Sequence, residues 1–321
     1  MDYGPDTHLL LSKLTVLHNN VLDISYLNIH SLPNLPNHLR ELYLNNTHIT
    51  TLPPLPPSIR CLYCSNLSIS SLPPLPSELR ILDCYNTPIT QLPELPPNLR
   101  TLYIPYTQLT SLPELPNTLV FLFCKNSPIQ HLPQLPQNLQ ILRCPYTELT
   151  YLPSLPSSLL ELHCDNTPIT ELPELPPALK ILNCSACPIS SLPQLPSSLK
   201  ELHCNDTLIS ALPELSNSLE LLHCHNTPLS TLPTLPSLLL YLKCFNTPLT
   251  TLPALPYSLR ILDFHNTNIT FLPSLPTFLR ILDQRTFQTG ILAQVACPVG
   301  RIYSESPTSV IFIQTNSVGT A

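Results

Sequence analysis

From Ser31 onward the chain repeats every twenty residues without an insertion or deletion, through at least twelve copies of a unit such as ELPELPPALKILNCSACPIS at 171–190. A fixed period of this kind marks a solenoid, in which each unit buries its apolar side only against its neighbours. A length of 321 residues would otherwise suggest two or three globular domains, whereas the repeat points to one elongated body. The 41 prolines would ordinarily mean disorder. Here they recur at two fixed positions of a Leu- and Ile-rich pattern, so they belong to an ordered unit.

With Ser31 as position 1, apolar residues fall at positions 2, 5, 9, 12, 14 and 19, as in Leu152, Leu155, Leu159, Leu162, Cys164 and Ile169. Positions 11 to 15 alternate, with Glu161, His163 and Asp165 outward and Leu162 and Cys164 inward, which is the period of a short half-buried strand. Identical connections make successive strands parallel and about 4.8 Å apart, so about thirteen rungs extend roughly 60 Å. Leu-Pro-x-Leu-Pro at positions 2 to 6 imposes polyproline II angles on the return path and excludes a helix there. The expected fold is a mainly β repeat solenoid, a rod with one parallel sheet face and a polyproline-II-like convex side. Repeats are expected over 22–284. They are flanked by an N-terminal cap at 1–21, with a short amphipathic helix from Thr7 to Leu17, and by a β cap or tail at 285–321.

All four glycines lie outside the repeats, so Asn at position 16, as in Asn46, Asn86 and Asn166, is expected to take the left-handed turn after each strand. The small hydroxyl at position 17, as in Thr47 and Thr167, is expected to satisfy backbone groups between rungs.

The strand pattern Leu159, Leu162, Cys164, Thr167 and Ile169 resembles the leucine-rich repeat consensus L-x-x-L-x-L-x-x-N-x-L, with Thr where that consensus has its ladder Asn. The twenty-residue unit with L-P-x-L-P resembles the short bacterial type found in injected effectors of enteric pathogens. The Cys/Thr variant is also similar to repeat proteins of large DNA viruses and amoeba-associated bacteria. The resemblance covers Leu22 to about Leu282. Many such effectors carry a C-terminal ubiquitin ligase domain with a catalytic Cys. The 285–321 stretch is too short for one, so ligase activity is not implied.

A net charge of −6 with scattered Lys and Arg argues against nucleic acid as a partner. The N-terminus lacks the basic region and apolar run of a secretory signal, and no stretch is long enough to span a bilayer, so no membrane role is expected. Of the 12 cysteines, most stand at position 14, which elsewhere takes Ile, Leu or Phe. They read as small core hydrophobes and favour a reducing, cytoplasmic setting, in a host cell if the protein is delivered. C-x-x-C occurs at Cys61/Cys64 and Cys184/Cys187, where the side chains should diverge, so neither a metal nor another cofactor is expected.

Positions 11, 13 and 15 remain for function, because solenoids bind through the open sheet face. In the first half this face carries Tyr43, Tyr63, Tyr85, Tyr103 and Phe123, side chains of the kind that anchor interfaces. They also favour strand formation without any partner. In the second half it carries a His-acidic strip that includes His163, His203 and His223 and gains charge as pH falls. Arg40, Arg60, Arg80 and Arg100 recur at position 10, either for bridging between turns or as a phosphate-binding row. The favoured reading is a non-enzymatic scaffold that recognises a protein partner, a host protein if the effector resemblance carries. Two alternatives are the substrate-recognition part of a ligase-related protein without its catalytic domain, and a zinc- or pH-responsive adhesin.

Overall fold

The computed structural model describes residues 4–277, 279–282, 301–303 and 310–312. The chain forms two units, Met1–Pro168 and Ile169–Ala321. Unit 1 opens with helix α1 (Thr7–Thr15) and continues through β1 (Val21–Asp23), β2 (Glu41–Tyr43), β3 (Cys61–Tyr63), β4 (Ile81–Asp83), β5 (Thr101–Tyr103), β6 (Phe121–Phe123), β7 (Ile141–Arg143) and β8 (Glu161–His163). Unit 2 comprises β9 (Ile181–Asn183), β10 (Glu201–His203), β11 (Leu221–His223), β12 (Tyr241–Lys243), β13 (Ile261–Asp263), β14 (Arg280–Leu282), β15 (Arg301–Tyr303) and β16 (Val310–Phe312). The expected cap at 285–321 otherwise lies outside the described residues.

Within unit 1 each strand pairs in parallel with the next and in unshifted register, so Leu42, Leu62, Leu82 and Leu102 form one buried column. Unit 2 follows the same rule from β9 to β13; between β13 and β14 the parallel pairing slips by one residue, so Leu262 faces Ile281, and β15 and β16 pair antiparallel. The repeat strands are three residues long, and in β1 to β13 the central residue is the buried Leu of position 12, flanked in most of them by two half-exposed side chains. Among the described residues the return path contains no helix. It turns at position 6, where the Pro carbonyl accepts from the N–H at position 9, as in Leu159 to Pro156 at 3.0 Å.

The core is narrower than the apolar pattern suggests. Positions 9, 12, 14 and 19 are sealed, whereas the leucines at positions 2 and 5 sit at its margin, as Leu32 and Leu35 do. They lie on the Leu-Pro-x-Leu-Pro path, which has nothing packed outside it, so they shed less apolar surface than the roughly 1.5–3 kcal/mol of a fully buried Leu.

The turn after each strand is left-handed at position 16. Asn46, Asn66, Asn86, Asn126, Asn166, Asn226, Asn246 and Asn266 all have φ between 51° and 59°, and Tyr106, Tyr146, Ala186 and Asp206 adopt the same angle. In most rungs the hydroxyl at position 17 behaves differently from the expectation. Thr47, Thr87, Thr167, Thr207 and Thr227 donate to the carbonyl three residues earlier in their own rung, at 2.6 to 2.9 Å. Most side-chain bonds between the turns of adjacent rungs come instead from position 16, where Asn66 donates to Asn46, Asn86 to Asn66 and Asn266 to Asn246; Ser127 is the position-17 residue that meets the expectation, accepting from the Thr107 N–H and donating to the Ile104 carbonyl, both at 3.2 Å. The geometric reason is reach: a hydroxyl on a short stem closes its own turn, while a carboxamide both donates and accepts and spans to the next.

At the N-terminus, Gly4 lies at φ 113°, where a side chain would strike the Asn28 carbonyl at 2.5 Å. That close approach lets Asp6 accept from the Asn28 N–H and lets α1 cover the first rung with Leu10. The described cysteines are free thiols, and all but half-buried Cys61 are buried. Burial pushes the Cys124 and Cys204 thiols up to about 12. Such groups stay neutral and unreactive.

Candidate interaction faces

In unit 1 the open face is built by aromatic contact between rungs. Tyr43 and Tyr63 stack at 4.5 Å with rings 5° from parallel, and the Tyr43 hydroxyl donates to Glu41 at 2.8 Å. Burial, with Glu41 beside it, drives the Tyr43 pKa well above the ordinary phenol range. Asp83 interrupts the row. It accepts from the Ser65 hydroxyl and the Tyr85 N–H, yet burial still raises its pKa.

Beyond Asp83 the rings splay. Tyr85 meets Tyr106 edge-on at 5.3 Å, and Tyr103 tilts against Phe123 at 5.3 Å. Together with Lys125, Arg143, Tyr146, His163 and Asp165 they line a groove of about 430 Å³. Its cations are held on rings: the Lys125 ammonium lies 5.4 Å from the Tyr146 centroid and the Arg143 guanidinium 5.8 Å from that of Phe123. Arg143 also bridges to Glu161 at 2.9 Å. An amphipathic concavity of this kind suits a partner side chain with an apolar body and a polar tip.

Three of the expected residues, Tyr85, Tyr103 and Phe123, thus meet in one groove, while Tyr43 and Tyr63 form a separate stacked pair. His163, grouped by sequence with the His strip, lines the aromatic groove instead. Tyr106 and Tyr146 escaped the sequence reading, as did Lys125 and Arg143. A signal was present in Pro105-Tyr106 and Pro145-Tyr146, which break the Asn series at position 16.

Unit 2 carries a different face. His203 and His223 meet through their Nδ1 atoms at 3.1 Å, with rings nearly perpendicular. One nitrogen donates and the other accepts, so the contact cannot survive protonation of both rings. His225 stacks on Phe245 at 4.1 Å and Phe245 on His265 at 4.3 Å, with His265 bonded to Asp263 at 2.6 Å. Burial holds His223 down to about 4, aided by His203, Lys243 and His225. His225 is likewise held down to about 4 by burial, against the pull of Asp206. Among the described residues no group of three or more His, Cys, Asp or Glu converges as a metal site, and no helix is long and apolar enough to cross a membrane.

No protein-family model and no curated protein matches the chain. Solved structures do. YopM from Yersinia enterocolitica WA-314 is similar at 32% identity with a TM-score of 0.73, over 82% of this chain and 63% of that one. YopM from Yersinia pestis, described as a leucine-rich effector protein, is similar at 34% identity with a TM-score of 0.77, over 87% and 82%. The functional domain of InlJ from Listeria monocytogenes, described as including a cysteine ladder, shares the fold at 23% identity and a TM-score of 0.67, over 88% and 68%. The chain spans just under two thirds of the length of the first of these.

Proposed function

This chain belongs to the leucine-rich repeat family, in its short twenty-residue effector-like form, and from that premise we propose that it is a non-enzymatic scaffold gripping a protein partner through the exposed sheet face. The observation that carries this reading is the unit 1 groove, where Tyr85, Tyr103, Tyr106, Phe123 and Tyr146 surround a concavity edged by Lys125 and Arg143. Rigid aromatic anchors beside cations are what binding hot spots are made of. Tyr43 and Tyr63 extend the apolar contact, and His203 and His223 supply a polar contact of their own in unit 2. Likeness to YopM, described as an effector, supports a host protein as partner and the host cytoplasm as the place of action.

The test is quantitative affinity capture from host-cell lysate, with wild type beside Tyr85→Ala/Tyr103→Ala/Phe123→Ala and beside His203→Ala/His223→Ala. Loss of a hot spot worth about 2 kcal/mol or more weakens capture roughly 30-fold or more, so the groove variant should lose its principal protein. Equal recovery by wild type and groove variant would remove the groove as the interface.

A further inference from the structure

Arg40, Arg60, Arg80 and Arg100 stand on successive rungs of unit 1, immediately before β2, β3, β4 and β5. Their backbones are bonded in a column, from the Arg60 N–H to the Arg40 carbonyl at 2.7 Å, Arg80 to Arg60 at 2.7 Å and Arg100 to Arg80 at 2.8 Å. Arg60 is half-buried and the other three are exposed. Among the described residues, none of the four makes an ion pair or a side-chain hydrogen bond. Among the described residues no acid forms an ion pair with them: Glu41, which accepts from Tyr43, and Glu78, exposed at position 8, stand in none of the ion pairs.

The same position in unit 2 is arranged differently. Lys200 and Glu220, on adjacent rungs, bridge at 2.8 Å. In unit 1 four like charges are stacked instead, and like charges opposite one another on neighbouring strands repel. An anion laid along the column removes that repulsion and gives each guanidinium a planar partner.

We propose that this arginine column binds an extended acidic segment of the protein partner, which deepens the scaffold reading and rests on it. The overall spans are comparable, with three carboxylates shared among four guanidiniums. Four rungs about 4.8 Å apart cover about 14 Å, and carboxylates at alternate residues of an extended peptide, i, i+2 and i+4, cover about 13 Å. A nucleic-acid strand suits the site less well. It needs free ring faces on which bases stack, whereas Tyr43 and Tyr63 are already stacked on each other, with Glu41 and Asp83 beside them.

The experiment is fluorescence anisotropy on the full chain with a labelled peptide carrying Glu at every second position, beside its Gln counterpart and a single-stranded oligonucleotide. The Glu peptide should bind at low ionic strength and weaken steeply as salt screens the column. Arg60→Gln/Arg80→Gln should lose about tenfold or more in affinity, and Arg60→Lys/Arg80→Lys should recover part of it. Both variants should melt no lower than wild type, because repulsion is removed or unchanged. Tyr85→Ala/Tyr103→Ala should bind the peptide normally, which separates this site from the groove. Equal binding by wild type and the Gln variant, no Glu-peptide binding at low salt, or preference for the oligonucleotide overturns the proposal. If the peptide fails while groove variants still lose the captured partner, the scaffold reading stands without the acidic segment.

Discussion

Tyr103 in unit 1 and His203 in unit 2 occupy the same place in the repeat, each one residue past a buried Leu and three before a left-handed turn. The rung beneath them is the same, yet Tyr103 leans on Phe123 to wall an apolar groove while His203 shares a hydrogen bond with His223. The backbone therefore sets where a face residue stands and leaves its chemistry open. Unit 1 uses that freedom for ring contacts and for the column of Arg40, Arg60, Arg80 and Arg100, unit 2 for imidazoles and the Lys200–Glu220 pair.

The largest test of this contrast is whether the scaffolds are equivalent. Leu102→Ala and Leu222→Ala each remove a fully buried side chain from position 12 and should each cost about 2–5 kcal/mol. Hydrogen exchange on neighbouring strands resolves the loss rung by rung, since a repeat array need not unfold in one step. Strongly unequal costs would break the claim of a common rung.

Acid should then divide the two. His223 and His225 have pKa values depressed to about 4 from 6.5, so the unfolded chain binds protons that the folded one refuses. Their contribution to stability is complete above about pH 6.5 and is lost as pH falls toward 4. Lys243 and the neighbouring imidazoles reinforce the effect. Asp263, its pKa raised by burial, opposes it at the acid end. Amide protection in β11 and β12 should fall across this window ahead of β4 and β5. Simultaneous loss in both units would show that the His stack is not the sensor.

The smallest effect concerns the turns. Tyr146 and Ala186 hold φ near 55° where Asn stands in most rungs, so Tyr146→Asn and Ala186→Asn should each raise stability by up to about 1 kcal/mol. Thermal melting measures both gains. The first change also removes one wall of the unit 1 groove, whereas the second touches no groove residue. If capture of the partner survives Tyr146→Asn undiminished, the groove is shallower in function than in form.

The scaffold was legible in the sequence because positions 9, 12, 14 and 19 recur in unit after unit and each is sealed by the same neighbours. The left-handed turn was legible from the absence of glycine. The site was legible only as rows. Tyr85, Tyr103 and Phe123 could be read outward from strand alternation, but Tyr106 and Tyr146 leave the chain from a left-handed residue, where alternation does not apply. Their contacts run diagonally between rungs, as Tyr85 to Tyr106 does, and a reading down one position cannot see a diagonal. The hydroxyl at position 17 misled in most rungs, Ser127 excepted, for a related reason: its chemistry was right for a hydrogen bond, but its reach decided which carbonyl it met.

The unshifted register of the strand pairs in unit 1 has a further consequence. With no residue gained or lost from one unit to the next, the number of units between two face residues sets their separation. Excising 107–126 whole would carry Arg143 one rung toward Tyr103, by about 4.8 Å, and each buried side chain would find a neighbour like the one it lost. The face can be lengthened, shortened or re-spaced in fixed steps while the interior stays as it is. In that respect the chain is a graduated scale whose markings, the side chains at positions 10, 13, 15 and 16, can be moved without recutting the ruler.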